Sequence, residues 1–497
     1  MNITSETDND SCPVISQMRP RPYIRTTSHS SVFRRGWVRL VRSRYGIFLS
    51  EVGIGRLCNR KLVGEVEMKE KGKAPLLEAA ASPSDGTTVL QTLGNIVVSV
   101  VGTGVLGLPY AFRVAGWLAG SLGVAAAGLC TFYCMILLVH CRRKLEEEKE
   151  ETNDLPQLHS YGDLGAKAFG SIGRYMTEFI VFIANAGGAI AYLVFIGQNL
   201  SSIVASFNTG DQHMRPAVFI FLLVLPIQII LSFIRSLSTL APFSAFADFC
   251  TVLAMALVFK EDLQAFDSSF KERSAFNGTW GLPFAGGVAV FCFEGFSMTL
   301  ALEASMAERR KFPLVLFQAL FGIIVAYVCF GIFGYLAYGD EIKDIITLNL
   351  PDNWTAVAVK AGLCIALTFT FPIMMHPINE ITETRLKSSR WFQKLSHNVR
   401  GAEFVGLQAS RILVLAVIST LASFIPGFGY FVSFVGSTVC ALLSFVLPAI
   451  FHLTFLDSEM RLWQRVLDYC ILVIGIAFAG FGTYNAITDK ASVDISA

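Results

Sequence analysis

Two short stretches of this chain hold residues whose types and spacing could do chemistry inside an apolar environment. The first is Phe293-Glu294-Gly295, in the middle of a hydrophobic run. A charged carboxylate at the centre of a bilayer costs about 2.5–3.5 kcal/mol on insertion scales, so such a residue is a functional candidate. Glu294 could pair with a substrate ammonium or carry a proton. The second is Gly102-Thr103-Gly104-Val105-Leu106-Gly107-Leu108-Pro109, which puts three glycines and a proline into a stretch otherwise able to cross a membrane. Glycine and proline interrupt helices, and backbone groups freed in hydrocarbon must be satisfied by protein, water or ligand. A half-helix starting after such a break aims unpaired N–H groups and a positive dipole end into the gap, a ready site for a carboxylate. Gly102, Thr103 and Gly104 would supply those amides and one hydroxyl; Pro109, with no N–H, would shape the span only. The competing reading of the glycines is close packing between helices.

Other candidates surround these. Glu303, Asp248 and His376 join Glu294 as possible proton carriers, with a structural or interfacial role as the alternative for each. Phe291, Phe293 and Phe296 would form an apolar wall beside the second break. Glu178, next to Arg174 at the start of a span, reads as an interface residue. Paired interruptions in corresponding segments of two halves point to the midplane site of a secondary transporter.

The elements that must position these residues are membrane helices. The chain is 53% apolar and 16% charged, with a mean hydropathy of +0.54, far more apolar than a soluble globule needs. Spans of roughly 20 residues, enough for a core of about 30 Å, fall at 88–112, 115–141, 174–205, 216–235, 239–259, 281–304, 313–338, 354–379, 408–425, 428–453 and 464–486. These eleven make an all-α polytopic membrane protein. With the N-terminus in the cytosol, the inner segments hold 32 of the 40 Lys and Arg residues, and this bias sets the orientation. The C-terminal tail, 487–497, then lies outside or in a lumen. So do the sequons at Asn277 and Asn353, both glycosylation candidates. The clusters at Arg142–Lys144 and Arg309–Lys311 anchor the inner side.

Residues 1–87 form a basic, disordered cytosolic tail without a spanning run. Met68 opens a cytosolic-looking start, so residues 1–67 read as a possible upstream extension; the Arg- and Ser-rich 11–50 stretch weakly resembles a transit peptide. The cysteines show neither a disulfide framework nor metal spacing, and Cys130 and Cys134 read as small buried apolar residues on one helical face. No Walker loop, HExxH or GxSxG motif occurs, so neither an ATP-driven pump nor a hydrolase is expected. No nucleic-acid partner, metal or cofactor is expected.

At this point a family resemblance enters. Gly102 to Pro109 with Tyr110-Ala111-Phe112 and Gly116-Trp117 resembles the amino acid/auxin permease family. So do Tyr161-Gly162-Asp163-Leu164-Gly165 with Ala168-Phe169-Gly170, and Phe293-Glu294-Gly295 followed by Glu303 and Phe312-Pro313. Within that family the chain is most similar to the plant and fungal vacuolar amino acid transporters. The resemblance implies a leucine-transporter-type fold, two inverted five-helix repeats plus one extra helix. It also implies proton-coupled movement of neutral amino acids, often out of the vacuole. It places the substrate carboxylate on Gly102, Thr103 and Gly104 and the second break at Glu294, Gly295 and Phe296. Leu76-Leu77 matches a dileucine sorting signal only loosely, because Gly72 stands where an acid is wanted. A vacuolar membrane is the expected location, with the plasma membrane as alternative. The rival functions are a non-transporting amino acid sensor and an auxin or other organic-acid carrier.

Overall fold

The computed structural model describes residues 86–150, 160–207, 214–233, 250–260, 273–351, 353–398, 402–457 and 460–496, with the backbone alone at 148–150, 395–398 and 486–496. Residues 1–85 of the basic tail, with the dileucine, and Asp248 lie outside the described residues.

Helix α1 (Val89–Val100) begins at Thr88, whose side chain accepts from the Gln91 amide in a capping box, a cap that sets where the first span enters the fold. The chain then passes through extended Val101 and Gly102, a 3₁₀ turn (Thr103–Gly107) and α2 (Leu108–Ala115). The two halves of this span are bent by 49°. Helix α3 (Trp117–Glu150) and α4 (Tyr161–Phe207) follow. At 47 residues α4 would run to about 70 Å if straight, but it is interrupted at Phe169 and at Gly170, whose φ of +65° suits glycine alone. The helix beyond this interruption contains the span expected at 174–205.

Two shorter apolar segments come next, α5 (Pro216–Ser232) and α6 (Cys250–Lys260). The second apolar break separates α7 (Gly281–Cys292) from α8 (Phe296–Ser305). Beyond it lie α9 (Phe312–Tyr338), α10 (Trp354–Ser388), the short α11 (Arg390–Asn398), α12 (Ala402–Ser423), α13 (Phe428–Phe455) and α14 (Leu462–Ser496). Helix α14 continues through the stretch expected as a tail after residue 486.

Among the described residues, eight helices are long and apolar enough to cross a membrane, and the bent first span makes a ninth. Segments α5 and α6 fall short of that length; the expected span at 239–259 is described only over Cys250–Lys260. The core lies between α3, α4, α7, α9 and α10, with α3 packed on α9 and α4 on α10.

Two faces can be told apart. On the first, Thr87 bridges to Met306, and Ala307 donates its amide to the Thr87 carbonyl at 3.1 Å. There Glu303, fully buried, pairs with Arg142 at 3.1 Å and Arg143 at 3.0 Å. On the second face, Arg113 donates to the Ile342 carbonyl, and Asp344 accepts from the amides of Phe428 (2.7 Å) and Gly429 (3.3 Å) at the start of α13. The loop between α9 and α10 is thus tied across that face.

Candidate functional site

The two breaks meet. A methyl group on Gly104 would come within 2.9 Å of Cys292 and Phe291, at the end of α7, and one on Gly295 within 2.9 Å of Val100, at the end of α1. Only glycine lets each break sit against the helix end opposite. Helices ending here leave carbonyls unpaired. The buried Tyr327 of α9 reaches two of them, its single hydroxyl proton shared between the carbonyls of Cys292 (3.2 Å) and Val100 (3.5 Å). No sequence pattern marks this tyrosine.

Beside the joined breaks is a cavity of about 520 Å³, inside the range of roughly 300–1,000 Å³ usual for small-molecule sites. Gly102, Thr103 and Gly104 line it from the first break, Glu294 and Gly295 from the second. Side chains of Asn95, Asn185, Tyr192, Phe291, Thr370 and Met374 complete much of its wall. Gly102 has open space where a side chain would be, the nearest atom being the Tyr192 hydroxyl at 3.9 Å.

Two buried oxygens on this wall have no hydrogen-bond partner, Thr103 Oγ1 and Glu294 Oε1. A buried unpaired polar atom costs about 1–3 kcal/mol, and such groups call for a ligand, a water or an ion. Among the described lining residues Glu294 is the sole carboxylate, and no Lys, Arg or His is present. With no cation among those residues, an anion here would have to be held by neutral donors, among which are the backbone amides at the start of the 3₁₀ turn and the Thr103 hydroxyl. A cation would meet Glu294.

The structure sorts the other sequence candidates. Phe291 lines the cavity; Phe293 and Phe296 do not. Both are fully buried elsewhere, Phe293 against the Tyr327 ring with centroids 5.2 Å apart. In an unwound segment neighbouring side chains lose helical facing, so an apolar wall of three phenylalanines does not form. Glu303 is off the cavity and engaged by two arginines. His376 is half-buried, its Nδ1 3.9 Å from Glu380, and does not line the cavity, although Pro377 does. Glu178 bonds Arg174 at 2.8 Å and also pairs with Arg385. The exposed Asn277 donates to the Arg113 carbonyl at 2.6 Å, and Asn353 caps α10 by accepting from Ala356 at 2.7 Å.

From the breaks the cavity extends along α8 and α10 toward the first face, past Met298, Leu302 and Pro377. Toward the second face the rings of Tyr110, Phe284 and Tyr430 pack edge to face at 5.4–6.5 Å. They sit below the loop that Asp344 fastens.

Residues 85–488 match the family model described as transmembrane amino acid transporter protein. The chain is 54% identical to the amino acid transporter ANT1 of Arabidopsis thaliana, over 83% of this chain and 96% of that one. It is 36% identical to the amino acid transporter AVT3B of the same plant, covering 85% and 98%. Vacuolar amino acid transporter 3 of Schizosaccharomyces pombe is 27% identical over 82% of this chain and 58% of that one. Among solved structures, MhsT in complex with L-phenylalanine superimposes with a TM-score of 0.50 at 13% identity, covering 82% of this chain and all of that one. That likeness shows the fold, an all-helical polytopic one.

Proposed function

The chain belongs to the transmembrane amino acid transporter family, the amino acid/auxin permeases, and we propose that within it the protein is a proton-coupled carrier of neutral amino acids. It is a transporter family and not an enzyme family. The observation that carries the proposal is the pairing of Thr103 and Glu294, two buried unpaired oxygens at facing helix breaks on one cavity.

An α-amino acid carries a carboxylate and an ammonium two bonds apart. The amides of Gly102 to Gly104 and the Thr103 hydroxyl match the first group, and Glu294 matches the second or carries the coupled proton. The remaining wall offers no charge for an ionised side chain, which favours neutral substrates. An indole acid or similar carboxylate has no ammonium, and the Glu294 carboxylate would repel it. That argues against an organic-acid carrier.

The arrangement is one of alternating access through two five-helix repeats. The first comprises α1/α2, α3, α4, α5 and α6; the second α7/α8, α9, α10, α12 and α13; α14 is the eleventh span. The breaks then occupy the first span of each repeat, the correspondence expected of inverted-repeat carriers. The first face is cytosolic and the second lumenal, in accord with the Lys and Arg distribution. The cavity's extension toward the first face then corresponds to an inward-facing state. The name of the fission-yeast relative supports a vacuolar membrane, and export into the cytosol is part of the same reading. One charge moving through 100 mV supplies about 2.3 kcal/mol, enough to concentrate a neutral solute tens-fold.

Competition binding on purified protein tests the site. A labelled neutral amino acid should be displaced by other neutral amino acids, and not by the matching carboxylic acid lacking the ammonium or the amine lacking the carboxylate. Equal displacement by an indole acid would support the organic-acid carrier instead.

A further inference from the structure

We propose that Tyr133, His140, His452 and Asp468 form a second proton-binding site, apart from the cavity, whose occupancy sets the pH response of transport through the last helix. The proposal rests on the transporter reading for its functional consequence, not for the site itself.

Asp468 lies on α14, the helix outside the two repeats, and is fully buried. One carboxylate oxygen accepts the Tyr133 hydroxyl of α3 at 2.7 Å, and the other sits 2.6 Å from Nδ1 of the buried His452 of α13. Three helices are joined through a single carboxylate. His140 is seven residues from Tyr133 on α3, so it lies on nearly the same side. It is exposed, and its ring centroid is 6.2 Å from that of His452 at a tilt of 35°. Proton-bearing groups therefore run from an exposed imidazole at the first-face end of α3, through a buried imidazole, to a buried carboxylate. None of the four lines the cavity.

The neighbouring titratable groups leave this run distinct. Arg143, next to His140 on α3, is engaged by Glu303. Arg465 on α14 pairs with Asp457 at 3.0 Å. Cys134 and Cys141 of α3 are buried nearby. Tyr161 of α4 donates to the Leu443 carbonyl at 2.8 Å and packs on Phe451.

Docking a helix requires no such cluster. A buried ion pair commonly stabilises no better than apolar residues of the same volume, because desolvation offsets the attraction. What an imidazole–carboxylate pair adds is the capacity to take up or release a proton, which apolar residues lack. One proton more or less alters the grip of α14 on α13 and α3. Helix α13 also contributes Cys440 to the cavity wall, which gives the change a route to the substrate site.

The test uses the full-length protein in proteoliposomes, exchanging labelled L-alanine or L-phenylalanine for unlabelled, with equal pH on both sides from 5 to 8. Such exchange needs no proton gradient, so it stays readable even if gradient coupling is absent. Wild-type exchange should vary several-fold across the range. His452→Gln should flatten that profile, and Asp468→Asn should displace its midpoint by about one pH unit or more. In parallel, the melting temperature in detergent is followed against pH, a readout that requires no transport. The difference between wild type and His452→Gln should itself depend on pH. If His452→Gln does not fold, Asp468→Asn and Tyr133→Phe decide by the same two curves. Variant curves parallel to wild type in both measurements would overturn the site. Loss of exchange in wild type, with pH-dependent melting differences intact, would count against the transporter reading and leave the proton site standing.

Discussion

At the scale of residues, Glu294 and Tyr327 do opposite work on the same pair of breaks. Tyr327 removes a debt by donating to carbonyls that α1 and α7 leave open, whereas Glu294 keeps one oxygen unanswered beside the cavity. Tyr327→Phe should lower stability by about 1–3 kcal/mol, since it strands buried acceptors, read by denaturation in detergent. Glu294→Gln preserves shape but cannot exchange a carboxyl proton. It should fold and insert normally while losing the acceleration of uptake by a pH gradient, measured with internal and external pH set independently. Glu294 was legible in the sequence because a carboxylate in an apolar run is conspicuous. Tyr327 was not, since a tyrosine in a span carries no sign of which carbonyl it will meet. Nor was the burial of Phe293 and Phe296 away from the cavity, because facing across a helix break has no period to read. Asp468 and His452 escaped notice for a different reason: each stands near a span end, where polar residues are ordinary, and only the packing of α14 brings them together.

At the scale of elements, both breaks could be read from glycine and proline in apolar stretches, but their mutual fit could not. Gly104→Ala should place a methyl group against Cys292 and Phe291, forcing the half-helices apart. Substrate binding should then fall at least tenfold. Gly102→Ala has room for its methyl group and should leave the fold intact while narrowing the cavity; isothermal titration separates the two. The ends of α3 and α8 are joined by Glu303 with Arg142 and Arg143. Glu303→Ala leaves two guanidinium groups without their buried partner and should cost about 3–5 kcal/mol, again by detergent denaturation. The sequence spacing had placed Glu303 as a proton carrier or an interface residue, because distance along a span does not reveal which cations a second helix brings. The 47-residue α4 contains the span expected at 174–205, beyond its interruption at Phe169 and Gly170. Its hinge at Gly170 follows from the same glycine that figured in the family resemblance.

At the scale of the whole molecule, hydropathy located the long helices well and the short ones less so. Segments α5 and α6 are apolar but brief over their described lengths, and a window average does not register how far a helix persists. For orientation the sequence offers only an expectation from charge bias, and the position of the cavity was not legible at all, since it depends on which half-helices lean apart. The loop held by Asp344 and the rings of Tyr110, Phe284 and Tyr430 close the second face, while the cavity reaches toward the first. Alternating access requires that latch to open. Asp344→Ala should therefore speed labelling of a cysteine placed at the half-buried Phe284 by a reagent added on the second face.

The central claim is that a proton gradient drives neutral amino acids through this cavity. Uptake of radiolabelled amino acids into proteoliposomes, with and without an imposed pH gradient, tests it most directly. The account predicts uptake of neutral amino acids that rises with the gradient and collapses when a protonophore is added. Binding of the same amino acids with no flux under either condition would contradict it and indicate a sensor instead.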